Sequence, residues 1–166
     1  VGACANTGGL SGMAAREFEG RADEVYEGAP AACGQMVSPR SVRSVVDVDY
    51  RVNGCPIDPL KFVEVVQAAL YGSNKYPLTQ SMCGECRRNE SECFFAQGTM
   101  CLGLVTRGGC GALCVQHNRP CMGCRGLSPE ANLGSARDVA YEAGISRERF
   151  DCALELFNQT APALKA

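Results

Sequence analysis

The 166-residue chain carries a formal net charge of −2 and has no run of lysines or arginines, so it lacks the basic footprint of a nucleic-acid-binding protein. Its longest apolar stretch, residues 60–71, is interrupted by Lys61, Glu64 and Gln67 and is too short and too polar to span a bilayer. The composition leads to the expectation of a soluble, cytoplasmic chain with no direct membrane span.

Residues 1–13 are small and glycine-rich, which suggests tight backbone passage near something bulky. The sequence opens at Val1, and the motif at Cys4 begins abruptly, so an N-terminal portion is expected to precede it. Residues 14–28 are rich in helix formers and read as a short surface helix. Residues 41–52 contain Val42, Val45, Val46, Val48 and Tyr50, a β-branched and aromatic pattern that predicts a strand. The strand would run into the turn Asn53-Gly54-Cys55-Pro56. A helix with clear punctuation follows: Asp58 as cap, Pro59 at the first position and Gly72 after the last apolar residue. Leu60, Val63, Val66 and Leu70 recur at helical spacing and are expected to form its buried face. Strand, cysteine-bearing turn and helix make an α/β unit, with Cys55 at the carboxyl edge where such folds place ligands.

Residues 76–126 have little regular pattern. Beyond them, Ser128-Pro129-Glu130 reads as a helix start. Residues 146–158 read as another helix, with Phe150, Leu154 and Phe157 on one face. The triplet Asn158-Gln159-Thr160 matches a glycosylation acceptor, and a chance occurrence is the simpler reading.

The twelve cysteines are the feature that composition does not explain. Eight lie between Cys83 and Cys124, in a stretch poor in apolar residues and rich in glycine. Such a stretch buries too little apolar surface to offset its chain entropy, and bound metal is the natural candidate for holding it together. Two sets can be read from the spacing. One is Cys83-x-x-Cys86 with Cys93 and Cys101; the other is Cys110-x-x-x-Cys114 with Cys121-x-x-Cys124. Each offers four thiolates, the complement for one 4Fe–4S cluster. Cys4 and Cys55, each in a glycine-rich turn, form an incomplete third set. Two C-x-x-C pairs and the absence of secretory features argue against disulfides. Structural zinc also suits two four-cysteine sets, and spacing alone does not decide between zinc and iron–sulfur. Cys33 belongs to no set. Cys152 is most simply a small buried hydrophobe, and the lone His117 is open to a supporting role near Cys114.

Gly2-Ala3-Cys4-Ala5-Asn6-Thr7-Gly8-Gly9 and Asn53-Gly54-Cys55-Pro56-Ile57 resemble motifs of the small subunit of nickel–iron hydrogenases and of the related iron–sulfur subunit of respiratory complex I. Cys101-Leu102-Gly103, Gly109-Cys110-Gly111-Ala112 and Pro120-Cys121-Met122-Gly123-Cys124 resemble the medial and distal cluster domain of hydrogenase small subunits, which the complex I subunit lacks. Two positions depart from the membrane-bound uptake type. Cys83 stands where that type has a histidine, and Cys114 where it has a proline. Both departures resemble the cytosolic group, the sulfhydrogenase delta subunit and the small subunit of methyl-viologen-reducing hydrogenase.

The resemblance implies three 4Fe–4S clusters: a proximal one held by Cys4, Cys55 and ligands upstream, a distal one at Cys83, Cys86, Cys93 and Cys101, and a medial one at Cys110, Cys114, Cys121 and Cys124. It implies that residues 1–75 are the C-terminal part of a flavodoxin-like domain. Residues 76–126 would be an irregular, cluster-stabilised domain, and residues 127–166 a helical tail. The implied role is non-catalytic. Electrons would be relayed between a nickel–iron site in a partner large subunit and a flavin- or iron–sulfur-containing partner. A related redox complex without hydrogenase activity, or a structural zinc protein, are the alternatives.

Overall fold

The computed structural model describes residues 1–13, 39–72 and 79–164. The helix expected at 14–28 and the unassigned Cys33 lie outside these residues. The described chain is helical, with irregular loops and no strand beyond two isolated bridges, Ser81 with Arg107 and Thr106 with Leu127.

The first helix, α1 (Gly2–Thr7), is short and has no side-chain cap. Its free N–H groups are taken instead by the turn that follows residue 51: Gly2 donates to the Val52 carbonyl at 2.8 Å and Ala3 to the Gly54 carbonyl at 3.0 Å. Asn6 Nδ2 adds a bond to Val52 O at 2.8 Å. The strand expected over 41–52 is not formed. Residues Val42–Ser44 make a 3₁₀ turn, and Val42, Val45, Val46 and Tyr50 face solvent. A β-branched run is stable as a strand only with a neighbour to pair with, and the described residues offer it none.

Helix α2 (Pro59–Tyr71) has the ends read from the sequence. Asp58 accepts the Leu60 N–H, Pro59 starts the helix, and Gly72 closes it at φ +63°. The face expected to be buried is not. Leu60 and Leu70 are each 72% exposed, Val63 and Val66 are exposed too, and only Ala68 is buried. Capping fixed this helix locally; no described element covers its apolar stripe.

Short helices α3 (Cys83–Arg88) and α4 (Leu113–Gln116) interrupt the cysteine-rich segment. A small apolar cluster of Met82, Phe94, Cys101, Ala112 and Val115 lies between them. Helices α5 (Leu133–Glu142) and α6 (Arg147–Asn158) form the larger core. Ala136, Ala140, Ile145, Phe150 and Leu154 pack there with Leu102 and Val105 of the cysteine-rich segment. Phe150, Leu154 and Phe157 are buried as expected, and Ser146 caps α6 through the Arg149 N–H.

Two C-terminal expectations change. Helix α5 starts at Leu133 behind Asn132, whose side chain accepts the Ser135 N–H, rather than at Ser128, whose hydroxyl donates to the Thr79 carbonyl and accepts from the Glu130 N–H in a local turn. Cys152 is exposed on the outer side of α6 rather than buried. Asn158 is only 1% exposed, which bars its side chain from glycosylation and leaves the triplet a chance match.

Candidate functional site

In the first cysteine set, α3 carries Cys83 and Cys86 on one turn. Cys93 and Cys101 each precede a 3₁₀ turn, Phe94–Gln97 and Leu102–Leu104 respectively. These elements converge because Met82 donates to the Thr106 carbonyl at 2.8 Å, laying the start of α3 along the chain that follows Cys101. Burial pushes the Cys83 thiol up to about 11, reinforced by the charges of Cys101, Cys86 and Cys93. All four thiols of the set are therefore within electrostatic reach of one another. Gly103 explains how closely backbone and sulfur approach: a Cβ there would lie 3.2 Å from the Cys83 sulfur and 3.6 Å from that of Cys101.

Backbone donors already point at the sulfurs. The Cys121 N–H donates to Cys101 Sγ with a separation of 3.3 Å. Burial raises the Cys101 thiol, opposed by the N–H groups of Cys121 and Gly103. Burial likewise raises Cys86, with the Cys93 charge adding and the Ser91 hydroxyl opposing. Such donors, which stabilise a thiolate, also tune a sulfur-bound metal group.

In the second set, Cys110 sits in a glycine-rich loop, Cys114 on α4, and Cys121 and Cys124 on the returning segment of chain. Cys124 feels the thiols of Cys110 and Cys114, after the larger effect of its own burial, and receives the Cys55 N–H. Cys121 is pushed up to about 12 by burial, with the Gly123 N–H and Thr106 hydroxyl opposing. It feels Cys101 of the first set as well as Cys124, so it stands between the two sets. Among the described residues, no three His, Cys, Asp or Glu side chains converge as they would on a single ion.

The incomplete third set is joined by the bonds from α1 to residues 52 and 54, which place the segments bearing Cys4 and Cys55 side by side. Both thiols are exposed. His117 is exposed at the end of α4, where its backbone N–H closes the helix.

Three groups give no clear signal in the sequence. Glu85, inside the first C-x-x-C, is buried and bonded to the loop of the second set. Arg125, next to Cys124, donates to the carbonyls of Gly108 and Asn53, each at 2.9 Å, linking the second set to the Cys55 turn. Arg107, lowered by burial and by the nearby charges of Arg51, Arg125 and Arg43, marks a basic group assembled from four separate segments. Only the position of Glu85 and Arg125 beside cysteines could have signalled them.

Residues 1–69 match the family of the 20 kDa subunit of NADH ubiquinone oxidoreductase. The sulfhydrogenase 2 delta subunit of Pyrococcus furiosus is 32% identical over 86% of this chain and 60% of its own length. A subunit of the F420-non-reducing hydrogenase vhu of Methanocaldococcus jannaschii is 31% identical over 74% of this chain and 47% of its own. Its counterpart from Methanococcus voltae is 34% identical over 74% and 50%. The chain is a homologue of these hydrogenase subunits. It spans between about half and three-fifths of the length of these relatives. Its motifs and these matches agree in pointing to hydrogenase subunits and, over residues 1–69, to the complex I 20 kDa family as the proteins it is similar to. No described helix is long and apolar enough to cross a membrane.

Proposed function

We propose that this hydrogenase-subunit homologue is an electron-relay subunit holding 4Fe–4S clusters. Cys83, Cys86, Cys93 and Cys101 would hold the distal cluster, and Cys110, Cys114, Cys121 and Cys124 the medial one. Cys4 and Cys55 would give two ligands to a proximal cluster. The observation that carries the reading is the mutual proximity of the four first-set thiols, with the N–H groups of Cys121 and Gly103 directed at the Cys101 sulfur. The donor set fits a cluster: thiolate-rich, partly buried, and backed by Gly103, whose missing side chain lets the main chain reach two sulfurs. When bound, such clusters take up and release single electrons.

Structural zinc, which four thiolates also suit, is the alternative that metal analysis separates.

The residues supply spacing and potential rather than acid–base chemistry. Burial raises the cost of charge at Cys83 and Cys121, the Gly123 N–H offsets it at Cys121, and the arginine group provides positive charge beside the second set. The exposed pair Cys4 and Cys55 would face a nickel–iron large subunit, because a proximal cluster must lie near the site that exchanges electrons with it. A flavin- or iron–sulfur-containing partner would meet the first set. Supported by the family match over residues 1–69, we read the N-terminal region as part of a flavodoxin-like domain.

Anaerobic iron and acid-labile sulfide analysis of the full-length subunit tests this. Three cubes give about twelve of each, four per cube. Stoichiometric zinc without labile sulfide overturns the reading.

A further inference from the structure

Glu85 occupies an x position of the first C-x-x-C, yet its side chain serves the other set. It is 8% exposed, and its two oxygens are spent on one loop. Oε1 accepts the Gly109 N–H at 2.6 Å, and Oε2 accepts the Ala112 N–H at 3.3 Å. These donors flank Cys110, whose sulfur lies 4.0 Å from Oε2. We infer that Glu85 positions Cys110 and lowers the reduction potential of the second set, an inference that rests on the cluster-binding function proposed above.

The chemistry of the side chain carries the argument. A carboxylate offers two acceptor oxygens, whereas a glutamine offers one and turns its NH₂ toward the other donor. The Ala112 N–H would then face a second donor across a buried contact, which costs far more than the bond was worth. Both bonds therefore require the carboxylate. Fixing Gly109 and Ala112, one residue before and two after Cys110, restricts the direction in which its thiolate points.

Two effects on potential follow and have the same sign. The carboxylate sets negative charge beside Cys110 in a poorly solvated space, where an added electron is repelled more strongly than in water. It also diverts two backbone N–H groups that could otherwise bond to sulfur, and N–H···S bonds favour the more reduced, more negative cluster. Both make the second set harder to reduce than its ligands alone dictate.

Glu85→Gln and Glu85→Asp, made in the full-length subunit and purified anaerobically with its clusters, test this. Iron and sulfide are counted, and each cluster is titrated by potential with electron paramagnetic resonance detection. The second-set signal is assigned as the one altered in Cys114→Pro. Glu85→Gln is expected to shift the reduction equilibrium of the second set by about tenfold toward the reduced form, which is 59 mV for one electron. The first set should move less, and Glu85→Asp should stay nearer the parent. An unchanged or lowered second-set potential, or a larger shift in the first set, overturns the proposal. If Glu85→Gln fails to retain second-set iron, its restoration in Glu85→Asp supports the role and its continued loss overturns it. A parent protein without iron and sulfide would instead overturn the cluster-binding function itself, and this inference with it.

Discussion

Glu85 and Arg125 hold opposite ends of one peptide group. The amide between Gly108 and Gly109 gives its N–H to Glu85 Oε1 at 2.6 Å and takes Arg125 Nε on its carbonyl at 2.9 Å. The linked residues come from the first C-x-x-C and from the position after Cys124, so the peptide before Cys110 is fixed from both sides. Gly109 lies at φ +112°, and a Cβ there would come within 2.6 Å of the Arg125 guanidinium. Gly109→Ala is expected to cost about 1–3 kcal/mol from backbone strain, and to displace Arg125. Thermal unfolding and iron retention after gel filtration check this; a variant as stable and as iron-rich as the parent would contradict it.

Cys114 is exposed on α4 and stands apart from the three other second-set cysteines, none of which is exposed. Cys114→Pro is expected to leave a three-iron cluster of higher potential with the fold largely intact, since one thiolate fewer means less negative charge to resist the added electron. Proline at the second position of this four-residue helix removes no obligatory bond, as early helical N–H groups have no partner within the helix. An unchanged four-iron resonance would exclude Cys114 as a ligand.

Burial sets an order of thiol reactivity in the metal-free chain. Cys83 at about 11 and Cys121 at about 12 lie above the usual 9.0, so the folded protein holds these protons more tightly than the unfolded one. Only the thiolate is alkylated, and at pH 9 a group two units higher is ionised about one part in a hundred. Iodoacetamide is expected to modify Cys83 and Cys121 well after the exposed Cys93 and Cys114, with the lag closing as pH rises toward 11 and 12. Mass spectrometry of each cysteine-bearing peptide reads the order. Equal rates at pH 8 would remove the basis for a buried, preformed first set.

Phe150 is 0% exposed and packs in the cluster that includes Leu102, the neighbour of Cys101. Phe150→Ala is expected to destabilise the fold by about 3–5 kcal/mol through lost burial and a cavity. Because the same core supports the Cys101 turn, iron should be lost at a lower urea concentration than in the parent. If stability falls while iron retention is untouched, the C-terminal helices do not brace the first set.

The sequence by itself determined what depends on neighbours a few residues apart. Asp58 and Gly72 bound α2, Ser146 starts α6, and Phe150, Leu154 and Phe157 share a buried face, because capping and helical periodicity act over one turn. The grouping of Cys83 with Cys86 is likewise local, both lying on α3. Only the tertiary structure decided the rest. Leu60 and Leu70 carry a helical apolar pattern whose burial needs a covering element, and none of the described residues provides it. Val42, Val45 and Val46 favour a strand, but a strand needs a partner in space. The proximity of Cys121 to Cys101, the bond of Glu85 to Gly109 and the approach of Arg107 to Arg43, Arg51 and Arg125 join residues about twenty to sixty positions apart. Contacts of that range arise when separate segments close on one another, which the local sequence does not encode.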